Sequence, residues 1–149
     1  MRLTDPTDCP YYLVSRVTLV LTSAFKRAFS AAGVGIVRPA YLGVLWCLWQ
    51  EEGIKTVDLG RRAGLEPSTM TGLLDRMERD GFVMRAPDPG DRRAQVIHLT
   101  ENGRKIRETA MRMVDETLAL MFQGISDDDV ARTKEVLRKV LANAREENS

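Results

Sequence analysis

The chain has 149 residues, 22 Lys+Arg against 21 Asp+Glu for a net charge of +1, and 44% hydrophobic residues. That length fits a single domain-sized unit, and that composition excludes disordered and collagen-like chains. With charges so nearly balanced, any surface for nucleic acid has to be local.

Two cysteines, Cys9 and Cys47, are too few for a disulfide framework, so a reducing cytoplasm is the expected setting. Arg2, Asp5, Pro6 and Asp8 interrupt any signal peptide, and the longest early uncharged run, Val17 to Phe25, is far short of the ~20 residues of a membrane span. No membrane partner is expected. The basic residues are 17 Arg and only 5 Lys, a bias that suits bidentate pairing and entry into grooves.

Pro10 to about Ala32 reads as a long first helix, with Leu13, Val17, Val20, Leu21, Ala24, Phe25 and Ala28 spaced by three and four. Arg16 is the only charge between Pro10 and Lys26. A helix so apolar around its circumference needs cover on more than one side, and in a short chain a second copy is the natural source. After a break at residues 33–35, Pro39 opens a second helix that runs to about Glu51 and ends at Gly53. Thr56 is the expected cap of a third helix, Val57 to about Ala63, with Val57, Leu59 and Ala63 inward.

Gly64 is the turn, and Pro67 opens a fourth helix that reaches about Asp80 before Gly81 stops it. Its buried stripe is Met70, Leu73, Leu74 and Met77. Its outer stripe is Ser68, Thr69, Thr71, Gly72, Arg76 and Arg79. A hairpin follows: Phe82 to Ala86, a loop of residues 87–91, and a return strand from Arg93 to Leu99. Thr100 caps a fifth helix to about Phe122, and Ser126 caps a sixth with three acids in its first turn. The tail from Arg145 is expected to fray.

Two short helices around a glycine turn, followed by a two-stranded ribbon, make a winged helix-turn-helix. The fold is therefore expected to be mainly α with a small β-hairpin wing. Residues 36–99 would form the winged unit within one 149-residue unit, and residues 10–35 and 100–146 the dimerisation helices. Such a unit lays its second helix in the major groove of double-stranded DNA. Ser68, Thr69 and Thr71 are short hydrogen-bonding groups near that helix's N-terminus, where phosphate is favoured. Arg76 has the reach for a phosphate or a guanine edge. Arg92 and Arg93 sit together at the hairpin tip, placed for a minor groove, and Arg85 and Gly72 complete the candidate contacts. Charge alone does not carry this reading: over residues 64–99, five Arg against six acids give 5 − 6 = −1.

The stretch GLEPSTMTGLLDRME at 64–78, then GFVMR at 81–85, DRR at 91–93 and LTENG at 99–103, resembles the MarR family of bacterial transcription regulators. The resemblance extends over nearly the whole chain. It implies a homodimer on a pseudo-palindromic operator, acting as a repressor released by a small ligand that in many members is aromatic or phenolic. It also implies that Asp75 or Asp91 pairs with Arg93 to hold the wing. Gly72 departs from the pattern, since members often carry Arg there.

Two alternatives stand beside this reading: an oxidant sensor of the same fold that uses Cys9, and a winged-helix adaptor that binds protein. Arg16 reads either as half of a salt bridge to the fifth or sixth helix or as the anchor of an anionic ligand. Seven of nine aromatics precede residue 50, and Tyr12, Tyr41, Trp46 and Trp49 read either as core or as the lining of an effector pocket. Cys9, at a helix start, is either incidental or a thiol made reactive by the helix dipole. Cys47 reads as an inert core thiol. His98 is the only histidine and sits far from both cysteines, so no metal site is expected, and no cofactor. No arrangement of nucleophile, base or paired acids supports an enzyme.

Overall fold

A computed structural model of the chain describes residues 5–146. These pack as two units divided after Thr117, a division that the single unit of the sequence reading does not contain. In the first unit, Asp5 caps a 3-10 turn, Pro6–Asp8, which leads into α1, Pro10–Ala31. Only Ala24 and Phe29 of α1 are buried, while Leu13, Val14, Val17, Leu19 and Val20 are exposed.

A second 3-10 turn, Pro39–Tyr41, precedes α2, Leu42–Gln50, where Leu42, Val44, Leu45 and Leu48 are buried. A two-residue strand, β1, Ile54–Lys55, comes next, then α3, Thr56–Ala63, and α4, Pro67–Arg79. Gly64 between α3 and α4 has φ +70°, the left-handed conformation that glycine adopts without a Cβ penalty. The inner stripe of α4 is buried as its spacing predicts: Met70, Leu73, Leu74 and Met77.

The wing strands are β2, Val83–Asp88, and β3, Asp91–Leu99. They leave only Pro89 and Gly90 at the tip, a shorter loop than expected. The sheet has three strands in the order β1-β3-β2, all antiparallel, so β1 is an addition to the predicted hairpin. β1 escapes a sequence reading because two residues cannot show an alternating pattern; Ile54 after Gly53 is its only signal.

Two other expectations are corrected here. Thr56 does not cap α3: it is the first helical residue, and its hydroxyl donates to the Gln95 carbonyl across the sheet. Val57 does not point inward but is 73% exposed, the inward face of α3 being carried by Leu59 and Gly60.

α5, Glu101–Met121, starts in a dense set of bonds to the winged region. Thr100 caps it as predicted: its Oγ1 accepts from Gly103 N–H (3.0 Å) and donates to the Gly81 carbonyl (2.5 Å). Thr100 N–H donates to Phe82 O at 3.0 Å, and Trp49 Nε1 donates to Gly103 O at 2.8 Å. Arg104 forks onto Glu52, with Nε to Oε2 at 2.9 Å and Nη2 to Oε1 at 2.8 Å. Glu52 Oε1 also accepts Leu99 N–H at 2.9 Å, so the carboxylate extends the short β1 pairing along β3.

The hydrogen bonds from Arg104 hold the Glu52 carboxyl below its ordinary value of 4.5. A lowered folded-state value means that this contribution to stability is full above pH 4.5 and is lost as pH falls through the folded value. We therefore expect urea-unfolding free energies of the parent chain to fall more steeply between about pH 5 and 3 than those of Glu52→Gln. Equal slopes would show that the pair does not contribute.

In the second unit, Ser126 and Asp129 form a reciprocal cap at the start of α6, Asp127–Glu146. Asp129 N–H donates to Ser126 Oγ at 3.2 Å, and that hydroxyl donates to Asp129 Oδ2 at 2.7 Å. Leu137, Val140 and Leu141 of α6 are exposed. Among the described residues no helix is long and apolar enough to cross a membrane.

Candidate nucleic-acid interface

The outward side of α4 carries Ser68, Thr69, Thr71 and Arg76, all exposed, with Gly72 half-buried among them. Pro67 stands in the first turn of α4, and no side chain caps the helix N-terminus next to Ser68 and Thr69. Thr71 Oγ1 donates back to the Pro67 carbonyl at 3.1 Å. Arg92 and Arg93 are exposed beside the wing tip, and among the described residues neither they nor Arg76 has an ion-pair partner.

The acids of this region are engaged instead. Arg85, on β2, donates through Nη2 to Asp75 Oδ1 at 2.7 Å and through Nη1 to Glu78 Oε2. Its side chain is 19% exposed, and although burial opposes its charge, the bonds to Asp75 and Glu78 prevail and push the guanidinium value up. Asp80 accepts the Tyr41 hydroxyl at 2.6 Å and lies 3.9 Å from Arg38 and 3.8 Å from Arg79. Asp88 accepts Gly90 N–H at 2.8 Å and pairs with Lys55 of β1 at 3.2 Å. Those contacts hold the Asp88 carboxyl down and the Lys55 ammonium up. Asp91 accepts the Arg93 backbone N–H at 3.0 Å.

The sequence balance of −1 over residues 64–99 therefore conceals a sorting. Every acid but Glu66 is bonded to the scaffold, while three guanidiniums stay free on α4 and the wing. Arg85, expected among the DNA contacts, instead faces the acids of α4. The expected pairing of Arg93 with Asp75 or Asp91 to hold the wing is likewise replaced: Arg85 makes the α4–wing clamp, and the Arg93 guanidinium takes neither acid. The signal for the clamp was Asp75 and Glu78 at i and i+3 on one helix face, with an arginine on the next strand.

The residues expected at an effector pocket are not gathered into one. Tyr41 is 0% exposed, its ring edge-on to Phe82 at 6.1 Å; it is a core residue whose value is raised by burial and by Asp80. Trp49 donates its indole N–H to Gly103 O. Trp46 is half-exposed on α2, with Nε1 3.2 Å from Met111 Sδ. Tyr12 and Arg16 are exposed on α1, and among the described residues Arg16 makes no salt bridge, the first of its two expected roles. An open groove of about 790 Å³ runs along α5 past Arg104, Arg107, Met111 and Arg112, and none of the five expected residues lines it. Cys9 precedes α1 and makes no side-chain cap bond, and Cys47 is raised by burial. Among the described residues no three His, Cys, Asp or Glu side chains group to hold a metal.

Comparison with known proteins fits this geometry. The model of the MarR family matches residues 39–94, the span from the second 3-10 turn to the middle of β3. The transcriptional activatory protein BadR of Rhodopseudomonas palustris is 33% identical over 120 residues, which cover 80% of this chain and 69% of that protein. The chain belongs to the MarR family. A MarR-family regulator from Rhodococcus sp. RHA1 superposes with a TM-score of 0.79 at 31% identity, over 92% of this chain and 95% of that one. CouR from Rhodococcus jostii RHA1, solved bound to p-coumaroyl-CoA, gives 0.77 at 29% identity over 92% and 94%. In this MarR-family chain, the helix-turn-helix and β2 lie inside the matched residues, which end within β3, while α1, α5 and α6 lie outside them.

Proposed function

We propose that this chain is a sequence-specific, double-stranded DNA-binding repressor that acts as a homodimer and is released by a small aromatic or phenolic ligand. The observation that carries the reading is the sorting of charge: Arg76, Arg92 and Arg93 are free on α4 and the wing, while the neighbouring acids are bonded away. Ser68, Thr69 and Thr71 take phosphate at the start of α4, and the two wing arginines enter the adjoining groove. The second copy has apolar surface to cover in each unit: Leu13, Val14, Val17 and Val20 on α1, and Leu137, Val140 and Leu141 on α6. A monomer seldom leaves such stretches bare. Ligand control is supported by the likeness to CouR, with Tyr12, Arg16 and Trp46 offering exposed ring and guanidinium groups to an aromatic anion.

Selection of duplexes from a random pool tests the reading. We expect two inverted half-sites about 10 bp apart, centre to centre. On the selected duplex, Arg92→Ala with Arg93→Ala is expected to reduce the slope of log K against log salt by about 4, roughly one for each of the four cationic groups that a homodimer loses. Failure of the parent chain to retain any duplex at low salt would rule the reading out.

A further inference from the structure

Gly72 has no reason within the chain to be glycine. It lies in the middle of α4 and is not among the positive-φ glycines. The nearest heavy atom to an added Cβ would be Arg76 Nη1 at 3.6 Å, an ordinary van der Waals contact. Gly60 and Gly103 differ: their added Cβ atoms would meet Met70 Cγ at 2.9 Å and Phe82 O at 2.2 Å. Inside a helix, glycine is less favourable than any residue but proline, so a glycine with room for a methyl group points to something outside the chain that comes close. Arg76 is one helical turn further along the same face, with its guanidinium lying over the bare backbone. Among the described residues it has no ion pair, and the flanking Asp75 and Glu78 are both held by Arg85.

We propose that Gly72 is the point at which α4 comes closest to the duplex, and that Arg76, laid across it, reads a guanine edge. This rests on the DNA-binding reading above. A backbone admitted that far into the major groove brings base edges within reach of Arg76, and the planar fork of arginine matches O6 and N7 of guanine. The specificity-determining pair is thus a missing side chain and the arginine that lies over it.

The test uses the full chain, the selected duplex and a scrambled duplex. Gly72→Ala is expected to raise Tm by about 2–4 °C and to weaken the selected duplex at least about 10-fold, with the scrambled duplex changed by less than about 3-fold. Arg76→Ala is expected to lose about 10-fold of the preference for G·C at one position of each half-site, over and above any uniform loss of affinity. A Gly72→Ala chain that binds the selected duplex as the parent does, or that melts lower, overturns the proposal. So does an Arg76→Ala chain that keeps its base preference, or one that loses affinity equally for all sequences with a salt slope reduced by about two, one for each protomer. A parent chain that binds no duplex would fail the DNA-binding reading itself, an outcome separate from all of these.

Discussion

Gly103→Ala is expected to destabilise the protein by about 3–5 kcal/mol, a large share of the roughly 5–15 kcal/mol that holds a domain of this size together. An added Cβ would sit 2.2 Å from the Phe82 carbonyl oxygen and 3.1 Å from Leu99 Cδ2. The obstacle is backbone, so no rotamer change relieves it. The start of α5 would have to lift away, and with it would go the Thr100–Phe82, Thr100–Gly81 and Trp49–Gly103 bonds and the Glu52–Arg104 fork. At about 1 kcal/mol for each neutral hydrogen bond, and with Trp49 left holding an unpaired N–H, the estimate follows. Helix propensity alone would change stability the other way by about 1 kcal/mol. The sign therefore decides, and a urea midpoint equal to or above the parent's would refute the tight seat of α5.

Arg85→Ala is expected to be the most damaging single change for DNA binding among residues that do not themselves face the duplex. Removing the guanidinium uncovers Asp75 and Glu78 on the helix proposed to enter the groove, and it unties β2 from α4. A like-charge pair at 4 Å costs about 1 kcal/mol in water and about 4 kcal/mol at the effective dielectric of a protein surface. Even the lower figure, taken for two carboxylates, weakens binding about 30-fold. Adding Asp75→Asn and Glu78→Gln to Arg85→Ala is expected to recover most of that electrostatic loss, leaving the share due to the untied wing. Duplex titrations of the parent, Arg85→Ala and the triple variant measure both shares. Operator affinity within about 3-fold of the parent for Arg85→Ala alone would contradict the clamp's role.

The helices were legible because their signals are local. The α4 stripe of Met70, Leu73, Leu74 and Met77, the glycine turn at residue 64 and the caps at Thr100 and Ser126 all follow from spacing within one or two turns. Partners across elements were less legible. Glu52 reaches Leu99 and Arg104 over about fifty residues of chain, and Arg85 had two acids and a duplex to choose among. Pairing the wing through Arg93 chose the wrong arginine, because sequence order does not say which face of β2 or β3 lies over α4. Tyr41 was left open for a similar reason: a phenol on an apolar helix start serves a pocket or a core equally well until Asp80 is seen to accept its hydroxyl.

The wing tip is ordered before any duplex arrives. Lys55 holds Asp88 from the neighbouring strand, Asp88 holds the Gly90 N–H, and Asp91 holds the backbone beside Arg92. Little loop freedom is left for association to remove, so complex formation should resemble rigid docking rather than coupled folding. Its calorimetric signature would then be a modest negative heat-capacity change set by the contact area alone, and its association rate would be governed by electrostatic steering toward the phosphates.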